Sequence, residues 1–159
     1  MQIESKKIIA RIVVFAAILV CFSGCTSRGE LRHNKSRDAL ITEIRSFKNT
    51  PYVYGGSTPS GTDCSGFTMR VFKRFGYNLP HSASKQAKMG RPVSRANLKM
   101  GDLVFFRTSK SRAITHVGIY LWSGKMVHAS SGKGIIVIKW MGHSYWEKRY
   151  AGARRIVDF

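Results

Sequence analysis

The chain has 159 residues, 43% of them hydrophobic and 11% aromatic, enough apolar material for one packed domain. That composition excludes a disordered tail, and the absence of any internal repeat excludes a solenoid. Lys and Arg number 27 against 8 acidic residues, a formal charge of +19, so the chain is drawn to polyanions: nucleic acid, anionic lipid or an acidic polymer.

The first residues read as an address. Lys6, Lys7 and Arg11 make a positive start, and Ile12 to Phe22 is an uninterrupted apolar run of 11 residues. A bilayer span needs about 20 such residues, so this run has the length of a signal-peptide core. Ser23, Gly24 and Cys25 follow it, and small residues before a Cys resemble the bacterial lipoprotein box. Phe22 stands where that box usually has Leu. The resemblance implies that Cys25 is lipidated and becomes the new N-terminus. An ordinary secretory signal and a short membrane anchor are the alternatives. The expected layout is a signal peptide over 1–24, a lipidated Cys with a polar tether over 25–36, and a folded domain over 37–159. Cleavage removes three basic residues and Glu4, leaving 24 basic against 7 acidic, a mature charge of +17.

Export also simplifies the three cysteines, Cys21, Cys25 and Cys64. Cys21 leaves with the signal and Cys25 carries lipid. Cys64 then has no disulfide partner, and is either buried filler or a working thiol.

Thr26 to Lys35 is polar and charged, as a tether would be. Ser36 is the expected N-cap of a helix over 37–48, with Leu40, Ile41, Ile44 and Phe47 on its apolar face and Pro51 ending it. Residues 52–63 are rich in Gly, Ser, Thr and Pro and read as a loop. Phe67, Val71, Phe72 and Phe75 recur at helical spacing, Gly76 is the expected C-cap, and Cys64 starts this second helix. A short third helix is expected within 82–89. After Gly101 the period changes. Strands are expected over 103–106, 117–122, 125–129 and 135–139, with a last one over 154–157. Ser123-Gly124 and Ser131-Gly132 separate the middle ones, which predicts an antiparallel meander. Helices first and strands after give an α+β fold, with helices packed on one face of the sheet.

A thiol at a helix N-terminus meets unpaired N–H groups and the positive end of the dipole, both of which favour the thiolate. The same groups can stabilise an oxyanion. Of five histidines, His33 lies in the tether, His81 in a turn after Pro80, and His143 in a loop. His33 and His81 read as solvated. His116 and His128 fall on expected strands joined by one short turn. If the loop between those strands is odd-numbered, such as Trp122-Ser123-Gly124, the two rings share a face, opposite or one diagonal step apart, about 5 to 8 Å. An even loop without a bulge separates them. Gly118, on the same side, is expected to leave open space beside the His116 ring. Cys64 as nucleophile, His116 as base and His128 as orienter then form a sequence of roles. Ordinary hydrogen-bonded strand histidines and a zinc site on the same three residues are the alternatives. Tyr145-Trp146 and Phe72-Phe75 read as core.

Seven segments now stand in order: PYVYGG (51–56), DCSGF (63–67), LPHSASKQ (79–86), GDLVFF (101–106), HVGIY (116–120), HAS (128–130) and YWEKRYAGARRI (145–156). From Thr50 to the C-terminus the chain resembles the NlpC-type papain-like cell-wall peptidases. The resemblance implies a papain-like fold and hydrolysis of amide bonds in peptidoglycan stem peptides or cross-links. It implies Cys64 as nucleophile, His116 as base and His128 as third polar residue. Tyr54, the second Tyr of PYVYGG, is implied near the oxyanion site, with Asp63 and Ser65 touching substrate. His81 departs from the family, where Arg is frequent, and the loop 108–113 is unusually basic. The expected protein is a lipid-anchored cysteine endopeptidase that needs no metal or organic cofactor. Its expected partners are stem peptides and, through Cys25, a membrane, with the outer membrane favoured because Thr26 is not Asp. A non-catalytic peptidoglycan-binding lipoprotein and an amidase or acyltransferase on the same fold are the competing readings. The export signal argues against a nucleic-acid partner.

Overall fold

The computed structural model describes residues 27–159, so the expected signal peptide, Cys21, Cys25 and the start of the tether lie outside the described residues, as does the His33 side chain. Helix α1 runs Ser27–Ser46, so it does not begin at the expected cap, Ser36. Residues 27–36 contain no Pro and several good helix formers, so extending a helix through them costs little once the packed end has formed. Leu40, Ile44 and Phe47 are buried. Asn49, at φ 69°, turns the chain away from the helix before Pro51.

The segment expected to be a loop contains a small antiparallel hairpin, β1 (Ser57–Thr58) and β2 (Gly61–Thr62). Helix α2 (Cys64–Lys73) follows with Phe67, Val71 and Phe72 inward. It ends before the expected cap, and Gly76 sits in the turn beyond it with φ +85°. Helix α3 is a single turn, Ala83–Gln86, capped by Ser82. Fully buried Gln86 ties it to α2. Its amide donates to the carbonyls of Ser65 (3.0 Å) and Pro80 (2.8 Å) and accepts from the Thr68 hydroxyl (2.8 Å).

Strands β3 (Arg91–Val93), β4 (Leu103–Phe106), β5 (His116–Tyr120), β6 (Lys125–Ser130), β7 (Gly134–Lys139) and β8 (Tyr150–Arg155) form one antiparallel sheet in the order β3-β8-β4-β5-β6-β7. The meander β4 to β7 matches expectation. β3 was not expected from the sequence: it is a short exposed edge containing Pro92, with no alternating apolar pattern to betray it. The last strand starts earlier than the expected 154–157, because small and partly buried residues at 150–153 pair with β4 without an apolar signature. A one-turn helix, α4 (Ser144–Glu147), bridges β7 and β8.

Both faces of the sheet are covered. Leu103, Phe105, Val117, Ile119 and Val127 pack with the helices. Val104, Phe106, Tyr120, Met126 and Trp140 pack on the other face. Alternation therefore puts His116 and His128, on the same pleat as Gly118 and Met126, on the face away from α2.

One buried ion pair closes the domain. Arg155 donates to both oxygens of Asp102, at 2.6 and 2.7 Å, with the two side chains 5% and 1% exposed. Asp102 also accepts from the Lys99 N–H, and Arg155 donates to the Asn97 carbonyl. Asp102→Asn leaves the buried guanidinium with only the exposed Asp158, 3.4 Å away, as counter-charge and is expected to lower the unfolding free energy by about 3 kcal/mol. Urea denaturation checks this, and a loss under about 1 kcal/mol contradicts it.

Candidate active site

The site is built around the first turn of α2. Asp63 is the helix N-cap, and its carboxylate is used from four directions. Oδ1 accepts from the Gly66 N–H (2.7 Å), the Ser65 hydroxyl (3.0 Å) and His81 Nε2 (3.0 Å), while Oδ2 accepts from the Gly55 N–H (3.1 Å). Burial works to raise this carboxyl, but the Gly66, His81 and Ser65 hydrogen bonds together hold it below the usual carboxylate range. Gly66 is needed here on contact grounds. A Cβ at that position would lie 2.1 Å from the Gly56 carbonyl oxygen and 3.0 Å from His81 Nε2.

Cys64 is buried, with no other cysteine among the described residues. Its Sγ lies 3.9 Å from the carbonyl oxygen of Thr115, the residue before His116. The backbone N–H groups of Val117, Ser65 and Cys64 itself draw the thiol pKa down, but burial outweighs them. Asp63 adds to the rise, and the thiol is pushed up to about 11. The helix end alone predicts a thiolate; the dry setting makes the resting group a thiol.

Four residues separate β5 from β6, but Leu121 donates to the Lys125 carbonyl in continuation of the Tyr120↔Met126 register, so the turn proper is Trp122-Ser123-Gly124, odd-numbered as the shared face requires. His116 Nε2 and His128 Nδ1 are 2.8 Å apart, with ring centroids at 4.9 Å. The space expected beside Gly118 is filled. A Cβ there would meet Met126 Sδ at 2.9 Å, the Val127 carbonyl oxygen at 3.0 Å and His128 Cβ at 3.3 Å. Glycine is what lets His128 come this close. Burial first, then His128, lowers His116 to about 3, and burial lowers His128 to about 4. The two rings are neutral at pH 7, and one nitrogen between them carries the shared proton.

A cavity of about 350 Å³ opens over the thiol, lined by Tyr52, Tyr54, Asp63, Cys64, Ser65, His81, Ser82, Ala83, Ser84, Ile114 and Thr115. It gathers four of the expected site residues, Cys64, Tyr54, Asp63 and Ser65, and adds two that sequence reasoning missed. His81, expected to be solvated, is bonded to Asp63. Tyr52 is partly buried, whereas Tyr54 is 90% exposed at the rim. Burial above all, then the neighbouring acidic groups, push the Tyr52 hydroxyl up, so it stays a proton donor. Its place in the same segment as Tyr54 was the available signal. Trp146, expected in the core, packs against the second core cluster and also lies against both histidines, while Tyr145 beside it is 41% exposed. Among the described residues, no group of three or more His, Cys, Asp or Glu side chains is placed to hold a metal ion.

The family model described as NlpC/P60 matches residues 49–155. The chain belongs to the NlpC/P60 family. It is 42% identical over 129 residues to the murein DD-endopeptidase MepS/murein LD-carboxypeptidase of Escherichia coli K12, covering 80% of this chain and 67% of that protein. It is 40% identical over 118 residues to the probable endopeptidase NlpC of the same strain, covering 74% and 76%. A solved NlpC/P60 family protein from Bacillus cereus superposes with a TM-score of 0.69 at 34% identity, over 76% of this chain and 40% of that one. The α+β architecture is thus the papain-like one of this family.

Neutral burial of the histidine pair has a consequence for stability. Both folded pKa values lie below the ordinary 6.5, so the unfolded chain takes up protons first. Stability is complete above about pH 6.5 and is lost as pH falls toward 4, by about 1.4 kcal/mol per pH unit for each histidine. Urea midpoints between pH 7 and pH 4 check this; a midpoint unchanged over that range contradicts it.

Proposed function

We propose that this chain is a cysteine endopeptidase that hydrolyses amide bonds in peptidoglycan stem peptides or cross-links. Membership in a family whose relatives carry murein endopeptidase names supports the substrate class. The observation that carries the reading is a helix-capped thiol set against the start of β5, whose first residue, His116, is hydrogen-bonded to His128.

The thiol proton passes to His116 as Sγ attacks the scissile carbonyl carbon, and the carbonyl electron pair moves to oxygen. N–H groups at the start of α2 and the Tyr52 hydroxyl, flanked by Tyr54, face that oxyanion. The intermediate collapses, the C–N bond breaks, and the leaving amine takes the proton from His116. Water then gives a proton to His116 and its oxygen to the thioester carbon, releasing the acid and restoring the thiol. His128 orients His116 through the Nε2–Nδ1 bond. Asp63 and Ser65 position the first turn of α2, and His81 presents a ring to the cavity where a stem-peptide carboxylate can reach it.

Cys25 carries the lipid in this reading, after removal of residues 1–24, and holds the domain in the cell envelope, at the outer membrane facing peptidoglycan. The basic surface keeps the domain near an acidic polymer and anionic lipid.

Cys64→Ala is expected to abolish new peptide fragments from digested sacculi, and His116→Ala to lower kcat at least about 10³-fold, both with unchanged circular dichroism. Mass spectrometry of the products identifies the bond. Fragments from Cys64→Ala at the wild-type rate would remove the nucleophile assignment, and intact binding without any wild-type turnover would favour the non-catalytic module. Cys25→Ser is expected to move the protein from the membrane fraction to the soluble envelope fraction; retention in the membrane contradicts lipidation.

A further inference from the structure

The histidine pair lacks the group that usually balances its charge. When His116 accepts the thiol proton it becomes a cation, and its Nε2 partner is a second neutral imidazole, not a carboxylate. His128 Nε2 is itself buried without a hydrogen-bond partner among the described residues, so the pair ends there. Asp63 acts on His116 only through space.

What the pair does have is an aromatic face. The Trp146 ring centroid lies 5.4 Å from that of His116, tilted by 38°, and 5.1 Å from that of His128. Trp146 packs on Phe106 at 5.0 Å and does not line the cavity over Cys64. It shares with the pair the sheet face away from α2, where Phe106 supports it.

The one-turn helix that carries it is fixed from both sides. The Glu147 carboxylate accepts from the Gly142 N–H (2.9 Å) and pairs with Arg95. The Arg149 guanidinium lies 3.9 Å over the Tyr145 ring and donates to the Tyr145 carbonyl. Such anchoring serves a ring whose position matters.

We propose that Trp146 is a positioning residue that stabilises the imidazolium formed on His116, through its π-face, in place of a carboxylate. A cation within about 6 Å of an indole face is attracted by the ring quadrupole, whereas a neutral ring gains little. The contact thus strengthens only once the proton has moved, which is the kind of interaction that raises kcat. The inference rests on the reading of His116 as the base.

The test uses the full chain with purified muropeptides. Trp146→Leu is expected to lower kcat about tenfold with KM within about twofold, and Trp146→Phe to recover part of the loss. Tetrafluorotryptophan placed at position 146 keeps the shape but depletes the π-face, and is expected to approach the leucine variant in kcat. That protein carries the test should Trp146→Leu fail to fold. Wild-type kcat in the fluorinated protein, or a loss confined to KM, overturns the role of Trp146. Cleavage by Cys64→Ala run alongside would overturn the catalytic reading beneath it instead.

Discussion

A single carboxylate holds the site together. Asp63 caps α2, ties the Gly55 turn to it, accepts from Ser65 and fixes His81, all while 8% exposed. Cys64 is the next residue, so its position follows from that cap. Residues 55–63 are short hairpin and turn with little apolar burial, so the carboxylate adds to the few backbone bonds that hold them. The close approach of Gly66 to the Gly56 carbonyl shows how little room the arrangement leaves. The same charge that organises the turn opposes ionisation of the neighbouring thiol, so structure and reactivity pull in opposite directions at this point in the chain.

Burial decides the charge state. A helix N-terminus favours a thiolate by a modest amount, whereas removing a sulfur and two imidazoles from water disfavours every charged form. The outcome is a thiol pushed up to about 11 facing rings lowered to about 3 and 4, a neutral resting site. In the proposed reaction, proton transfer then belongs to the attack on substrate rather than preceding it. An unused thiol in that state is protected from oxidation, which follows thiolate character.

Much of this was legible in the sequence. Strands β4 to β7 announce themselves by Val and Ile between turn residues, and the odd loop at 122–124 places the histidines correctly. Cys64 at a helix start was readable from Phe67, Val71 and Phe72. What was not legible depends on contacts between distant segments. His81 looks solvated until the fold brings Asp63 to it. Gly118 looks like empty space until β6 packs against it. Trp146 reads as core and does pack on Phe106, but nothing in the sequence shows that it also covers the histidines. The charge state failed for the same reason, since helix position is local and burial is not.

The two halves of the site reach each other by an unusual route. Cys64 comes from the helix side of the sheet, among Phe105, Val117 and Val127. The histidines stand on the opposite face, against Trp146 and its Phe106 support. A continuous ladder would keep them apart. The β5–β6 pairing, however, runs only over Ile119↔Val127 and Tyr120↔Met126, and stops before His116. Beyond that point the residue pairing stops, and the sulfur meets the backbone of residues 115–117 there. Extending the ladder by one more pair would gain a little sheet stability and engage the backbone that now faces the sulfur. The short ladder leaves the backbone at 115–117 to the sulfur, and dense packing on both faces of the sheet offsets the missing pair.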